Sequence, residues 1–429
     1  MATGNTPAYT LSSAETAIYK KTNTDVMEAI KAFTEEYAWA DDTPDLRIIP
    51  SANEMRLVLD VNYETGVASI PEGGYEAEAT SVAAQTGTLT PIQLNARYSF
   101  SILYQDGWNN GQGKQGQIEN QVRFQALKKM QAVQERFGQQ FYGFSTGTVA
   151  QVHTTGASNA TQTNIRLKNA FGSTLIAGST ANQQAYLSGL FRPGDGIALI
   201  RSAAIEEFGY VVGVGSSGNG YLSAVFNAAV TPTEDDIIVF ANAVTDATLA
   251  GTDYNRWPTG LLDQTTSASL HGLATSTSAN WAAYQDTTGG RWSVAKQQKM
   301  IQTIMNNGGV KMDRMVMAQG VMRDVEAGES AARRYSPSDA YDLDAKFKAK
   351  SVQVLDSRLS PPGIVFGWNN RVSTKKMMSD KPAAEGGPDI FSLDKVQDRS
   401  LIQASLNFIY FRCCTNRAGM AIASGLTEQ

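Results

Sequence analysis

The segments Thr90–Ile102, TPIQLNARYSFSI, and Ile118–Phe144, IENQVRFQALKKMQAVQERFGQQFYGF, decide how the rest of this chain is read. In the first, Ile92, Leu94, Ala96, Tyr98, Phe100 and Ile102 alternate with Gln93, Asn95, Arg97, Ser99 and Ser101. A period of two over that length predicts a strand with one buried and one wet face. In the second, Val122, Ala126, Met130, Val133, Phe137 and Phe141 form one broad stripe, which predicts an amphipathic helix ending near Gly143. Just upstream lies EGGYEAEATSVAAQTGTLT (72–90), extended, small and polar, with too few large apolar residues to build its own core. A long strand fed by such a segment suits an arm reaching to a neighbour better than the wall of an enzyme pocket.

Working outward, residues 12–40 carry a second amphipathic pattern. Thr24 or Asp25 can cap it, Val26, Ile30, Phe33 and Tyr37 fall at helical spacing, and Asp41-Asp42-Thr43-Pro44 stops it. Short strand signals follow in DLRIIP, MRLVLDV and GVASIP. From 145 to 190 the chain is almost uncharged. Then come GDGIALIRS, FGYVVGVG, NGYLSAVF and DDIIVFANA, each bounded by turn residues, the pattern of a small antiparallel barrel or sandwich inserted into another domain. Residues 252–290 form a connector. A second α+β unit begins near Arg291, where Val294, Ile301, Ile304 and Met305 mark a helix closing at Asn307-Gly308-Gly309. The strand DRMVMAQ, a short helix through Val321 and Val325, and strands SVQVLDS and GIVFGW around Pro361-Pro362 follow. A last alternating strand, SLIQASLNFIYFRCC, runs on to the C-terminus, and no solenoid repeat is present.

At 429 residues there is room for two or three domains, and 18% charged residues with 42% hydrophobic ones describe a globular chain light in charge. A net charge of -5 argues against a dedicated nucleic-acid binder. MATGNTPAYTLSSAE has neither the basic nor the apolar region of a secretory signal, and no apolar run is long enough for a membrane helix. The two cysteines, Cys413 and Cys414, are adjacent, so a bridge between them would be strained. They are expected to be small buried hydrophobes in a reducing compartment.

Motifs that could carry chemistry fail on context. Gly213-Val214-Gly215-Ser216-Ser217-Gly218 matches G-x-G-x-x-G, but Pro232 allows only about a dozen residues for the full helix a dinucleotide site needs, and NGYLSAVF alternates like a strand. It is expected to be a hairpin turn. Ser373-Thr374-Lys375-Lys376 and Ser293-Val294-Ala295-Lys296 match S-x-x-K without the companion motifs, and are expected to be a solvated loop and a helix start. His153 and His271, the only histidines, lie far apart without a Cys/His cluster, so no metal site is expected. Acids such as Glu206-Glu207 and Glu234-Asp235-Asp236 leave a glycosidase pair open, with scattered surface acids the blander explanation. Lys128, Lys129 and Arg136 are either solvated helix charge or a wall offsetting phosphate repulsion from packaged DNA.

The order of elements resembles the major capsid proteins of tailed bacteriophages, the Hong Kong-phage coat fold. The resemblance rests on TPIQLNARYSFSILYQDGW before the long helix, GLLDQTTSASLHGLATSTSANW leading into the second domain, and the closing LIQASLNFIYFRCCTNRAGMAIASGL. It implies an α+β chain with an N-terminal arm (1–45) and a peripheral domain (46–150). That domain would contain an extended β loop at about 62–97 and a spine helix at about 117–142. An inserted β-rich domain (151–250), connector and peripheral strands (251–290), and an axial α+β domain with a returning strand (291–429) would complete it. The resemblance further implies no enzymatic activity and no cofactor. It implies self-assembly into hexamers and pentamers around double-stranded DNA bound without sequence specificity. Scaffolding, portal and decoration proteins would be partners, no membrane would, and the shell would be built in the host cytoplasm. Glu72, Gly73, Gly74, Tyr75 and Glu76 would form the intersubunit loop tip, and Arg333, Arg334 and Tyr335 would approach the local symmetry axis. Some relatives weld subunits through a loop lysine; here no lysine occurs between Arg47 and Gly113, so the loop is expected to adhere noncovalently. The alternatives are a nanocompartment shell with an enzyme cargo, and a β-rich carbohydrate-active hydrolase supported by acids and by Trp257, Trp281 and Trp292.

Overall fold

The computed structural model describes residues 48–50, 55–59, 85–89, 91–101, 115–153, 160–215, 221–241, 251–276, 281–333, 352–377, 391–395 and 401–428. The helix expected over 12–40 and the strand signal GVASIP lie outside them. Strands β1 (Ile48–Pro50), β2 (Met55–Leu59), β3 (Gln85–Leu89) and β4 (Ile92–Ser101) precede the 28-residue helix α1 (Gln115–Tyr142). Next come β5 (Ala150–Val152), β6 (Ala160–Lys168), α2 (Ala181–Gly189), β7 (Gly196–Arg201), β8 (Ala204–Val214), β9 (Tyr221–Val230) and β10 (Ile237–Phe240). Helix α3 (Leu261–Thr266), β11 (Ser269–Leu270), β12 (Leu273–Ala274), β13 (Tyr284–Asp286), α4 (Val294–Gly308), β14 (Arg314–Ala318) and α5 (Gln319–Arg333) follow. The chain closes with β15 (Gln353–Ser357), β16 (Val365–Trp368), β17 (Ser373–Met377), β18 (Phe391–Lys395), β19 (Leu401–Cys414) and β20 (Met420–Ala423).

Two compact units result. One holds the described parts of Pro91–Gly138 and Lys376–Phe411, the other those of Thr43–Thr90, Gln139–Lys375 and Arg412–Gln429. In the first, β4 pairs antiparallel with β19 over ten residues, from Ile92 opposite Tyr410 to Ser101 opposite Leu401, and β18 pairs with β19 too. The stripe on α1 is buried at Val133 and Phe137, and Phe137 packs on Tyr410 with ring centroids 5.2 Å apart. Gln93 and Arg97 of β4 are exposed, while Asn95 is half-buried like its apolar neighbours.

The second unit contains a closed antiparallel barrel in the order β10-β5-β6-β9-β8-β7. Closure leaves no sheet edge open to pairing with another chain. Alternation supplies its interior, with Ile165, Leu167, Ala198, Ile200, Phe208, Leu222, Ala224 and Val239 all buried. Strand β6 comes from the polar stretch that carried no strand signal. The G-x-G-x-x-G match is a hairpin, as expected: β8 runs through Gly213 and Val214, β9 starts at Tyr221, and Gly215 N–H donates to Tyr221 C=O. The Tyr186 hydroxyl of α2 donates to the Leu359 carbonyl at 2.7 Å.

Beside the barrel lies a five-stranded mixed sheet, β13-β20-β16-β14-β15, in which β14 runs parallel to β15 and antiparallel to β16. Its core gathers Met300, Ile301, Ile304, Met312, Met315, Met317, Val321 and Val325. The stripe on α4 is rotated from the one anticipated: Met300 is inside, while Val294 and Met305 are 38% and 54% exposed. Gly309 closes α4 with φ 63°. The returning strand does not run on to the C-terminus as expected; it stops at Cys414, and β20 is a separate strand of this five-stranded sheet.

The barrel rim holds Asp236, 2% exposed. Burial alone would raise its carboxyl pKa. Arg201 donates to it through Nε (2.8 Å) and Nη2 (2.7 Å), and Thr233 through N–H (2.7 Å) and Oγ1 (2.9 Å), which together hold it below the usual range. Arg201→Met should therefore destabilise the protein by roughly 3 kcal/mol, because it strands a buried carboxylate. Asp236→Asn in the same background should recover part of that loss in chemical denaturation.

Candidate functional site

Among the described residues, the densest polar constellation is built on six residues of the returning strand and the turn after it, Arg412-Cys413-Cys414-Thr415-Asn416-Arg417. Every helix leaves its last carbonyls without intrahelical donors and carries partial negative charge there. Three helix ends meet these residues. Arg412 Nη1 donates to Phe141 C=O in the last turn of α1 (3.0 Å), with its guanidinium carbon 4.1 Å from the Phe141 ring centroid. Arg417 Nε donates to Gln264 C=O of α3 (2.7 Å), and Nη2 donates to Ser267 C=O just beyond it. Asn416 Nδ2 donates to Gly308 C=O, the final carbonyl of α4 (3.1 Å).

Side chains between these ends complete the network. Arg412 Nη2 donates to Ser373 Oγ (3.0 Å), Ser373 Oγ donates to Gln264 Oε1 (2.6 Å), and Gln264 Nε2 donates to Thr259 C=O (3.1 Å). Thr259 Oγ1 returns to Arg412 C=O (3.0 Å). Arg412 is 4% and Arg417 1% exposed, and burial pushes the Arg417 guanidinium below its ordinary value. The S-x-x-K match at Ser373 is thus no solvated loop: Ser373 and Thr374 are buried on β17. The match at Ser293 is a helix start, with Ser293 Oγ accepting from Lys296 N–H.

His271 ties the connector into this hub. Its Nε2 accepts from Cys414 N–H at 3.1 Å, and its C=O accepts from Thr88 N–H of β3 at 3.1 Å. Gly87 is what permits that approach, since a Cβ there would lie 2.8 Å from His271 Cβ. β2 and β3 pair from Met55 opposite Leu89 to Leu59 opposite Gln85. The excursion over 60–84 therefore leaves and rejoins the sheet at one place, next to the hub. The thiols of Cys413 and Cys414 are free, and burial pushes them up to about 11 and about 12, so they are protonated at neutral pH.

The residues singled out from sequence do not gather here. Lys128 and Lys129 are exposed on α1, where Lys128 Nζ donates to Gln131 Oε1, and Arg136 is half-buried. Arg333 is the last residue of α5. Glu72, Gly73, Gly74, Tyr75, Glu76, Arg334 and Tyr335 lie outside the described residues. Of the features that kept a hydrolase open, Trp257, Trp281 and Trp292 are core residues, and Glu234 and Asp235 both pair with Lys168. No cluster of metal-ligating side chains occurs among the described residues, and none of their helices is long and apolar enough to cross a membrane.

No family model matches the chain, and no curated protein matches it. It is similar to a solved capsid asymmetric unit of Cyanophage A-1(L), at 10% identity, 88% coverage of each chain and a TM-score of 0.47. A satellite phage P4 procapsid that includes the size determination protein is similar at 8% identity, 98% of this chain and 94% of that one, TM-score 0.38. The holo-SrpI encapsulin complex from Synechococcus elongatus PCC 7942 is similar at 10% identity, 92% of this chain and 89% of that one, TM-score 0.37.

Arg412 offers a direct test of the hub. Arg412→Lys keeps the charge but not the planar fork or the stacked face, and should cost about 2 kcal/mol in denaturant unfolding. Arg412→Ala leaves the Phe141 carbonyl and Ser373 without their donor and should cost about 4 kcal/mol.

Proposed function

We propose that this chain is a tailed-phage major capsid protein that self-assembles into hexamers and pentamers of an icosahedral shell enclosing double-stranded DNA. The observation that carries the reading is the pairing of Leu59 with Gln85, which closes the base of the 60–84 excursion beside the buried hub. An arm with both ends clamped can transmit load to its own subunit while its tip engages another. The small, polar composition of 72–90 fits adhesion to a neighbour better than burial in its own core.

In this reading the contacts are head-to-tail and close into rings. Glu72, Gly73, Gly74, Tyr75 and Glu76 contact the adjacent subunit, and Arg333, Arg334 and Tyr335 meet around the capsomer axis. Lys128, Lys129 and Arg136 offset phosphate repulsion from packaged DNA. The barrel is an addition to the minimal coat fold. Scaffolding, portal and decoration proteins are the partners beyond the chain itself, assembly takes place in the host cytoplasm, and the chain catalyses no reaction. A nanocompartment shell is the second reading, served by the same clamped arm.

Because Leu59 and Gln85 are already opposite one another, residues 62–82 can be replaced by a short Gly-Ser linker without touching β2 or β3. Electron microscopy of the purified wild type should show closed shells that run as 46.2 kDa monomers on denaturing gels. The linker variant should stop at monomers or isolated capsomers. Closed shells from that variant would overturn the arm, and protein cargo in place of nucleic acid would favour the nanocompartment.

A further inference from the structure

The hub contains an imidazole, and it sits at a mechanical junction. His271 and Gly272 are the two turn residues of the β11–β12 hairpin, and both have positive φ, 54° and 84°. Positive φ at both positions is the geometry of a tight two-residue hairpin turn. One side of it holds β3 through Thr88 N–H and the close contact with Gly87; the other holds the returning strand through Cys414 N–H. Since Nε2 accepts, the ring is neutral and its proton sits on Nδ1.

We propose that His271 is an acid-sensitive latch on the base of the 60–84 excursion, releasing β3 from the returning strand when its imidazole takes up a second proton. Protonation turns Nε2 from acceptor to donor, so Cys414 N–H faces another N–H. It also places a cation in a buried site already containing Arg417, whose own electrostatic partners there are the neutral Cys414 thiol and Asp263. β3 brings no charge to relieve it, since its contacts are Gly87 and the Thr88 backbone. The hairpin can escape both penalties only by moving away, which withdraws the His271 carbonyl from Thr88. Consistent with this geometry, burial and then the Arg417 charge lower the imidazole to about 4 from an ordinary 6.5. The latch is then fully closed above pH 6.5, and its hold is lost as pH falls toward 4. The inference rests on the arm reading for its purpose, but not for its measurement.

Hydrogen exchange of the full-length protein, corrected for intrinsic rates, tests it. Peptides covering 85–89, 268–274 and 412–417 should lose protection by on the order of a hundredfold between pH 6.5 and 4. Barrel peptides over 196–214 should hold theirs. His271→Gln and His271→Asn, the latter suited to the positive-φ turn, should abolish the step, and His153→Gln should retain it. A step unchanged in the His271 variants, or absent from the wild type, would overturn the latch. Should neither variant fold, 13C-histidine NMR of His153→Gln leaves one signal to follow; titration near 6.5 overturns the proposal, and titration near 4 together with the exchange step supports it. A protein that loosens in this way yet never forms shells would sink the capsid reading and leave the latch standing.

Discussion

Three helices end on the same six residues, and the second unit is organised around satisfying those ends. A carbonyl at a helix terminus buried inside a protein must find a donor. Arg412, Asn416 and Arg417 supply those donors to α1, α4 and α3 respectively. Each partner is fixed by two or more independent constraints, so the returning strand has one workable position. A shift by a single residue would put Phe411 or Cys413 in the place of the Arg412 guanidinium and orphan the end of α1. The same position delivers Cys414 N–H to His271, and through His271 to β3. The base of the excursion is therefore set by a part of the chain more than three hundred residues further along it.

Much of the architecture was legible because it is local. Alternation marked β4, β19 and the barrel strands β7 to β10, helical spacing marked α1, and Gly309 marked the end of α4. Context disposed of the glycine-rich match at 213–218, since β8 and β9 pair with each other on either side of it. Other features escaped for physical reasons. β6 is rich in Thr, Gln and Asn, so only its pairing with β5 and β9 makes it a strand. On α4 the buried stripe runs through Met300 in place of Val294 and Met305, because the sheet it covers, rather than the helix itself, decides which flank faces inward.

The hub was the least legible part. Arg412 lies in an apolar alternating strand and Arg417 in a small-residue turn, and nothing in either neighbourhood announces a helix end. Their partners Phe141 and Gln264 come from segments far away in sequence, so the network exists only once the chain has folded. A charged residue inside an otherwise apolar closing strand was the available signal. Gly87 carried a similar trace: a glycine in the middle of a short strand often marks close backbone approach, here to His271.

The barrel begins at β5 and finishes at β10, and these two strands are partners, with Ala150 opposite Ile238. Its two junctions with the surrounding fold thus lie side by side, bracketed by the Ala241–Thr252 bridge and the Val149-to-Ile238 hydrogen bond. A module whose chain enters and leaves at a single spot can act as an exchangeable cassette. Away from the α2 side, where Tyr186 is anchored to Leu359, its size and surface chemistry are free to diverge while the two chain ends stay a short, fixed gap apart.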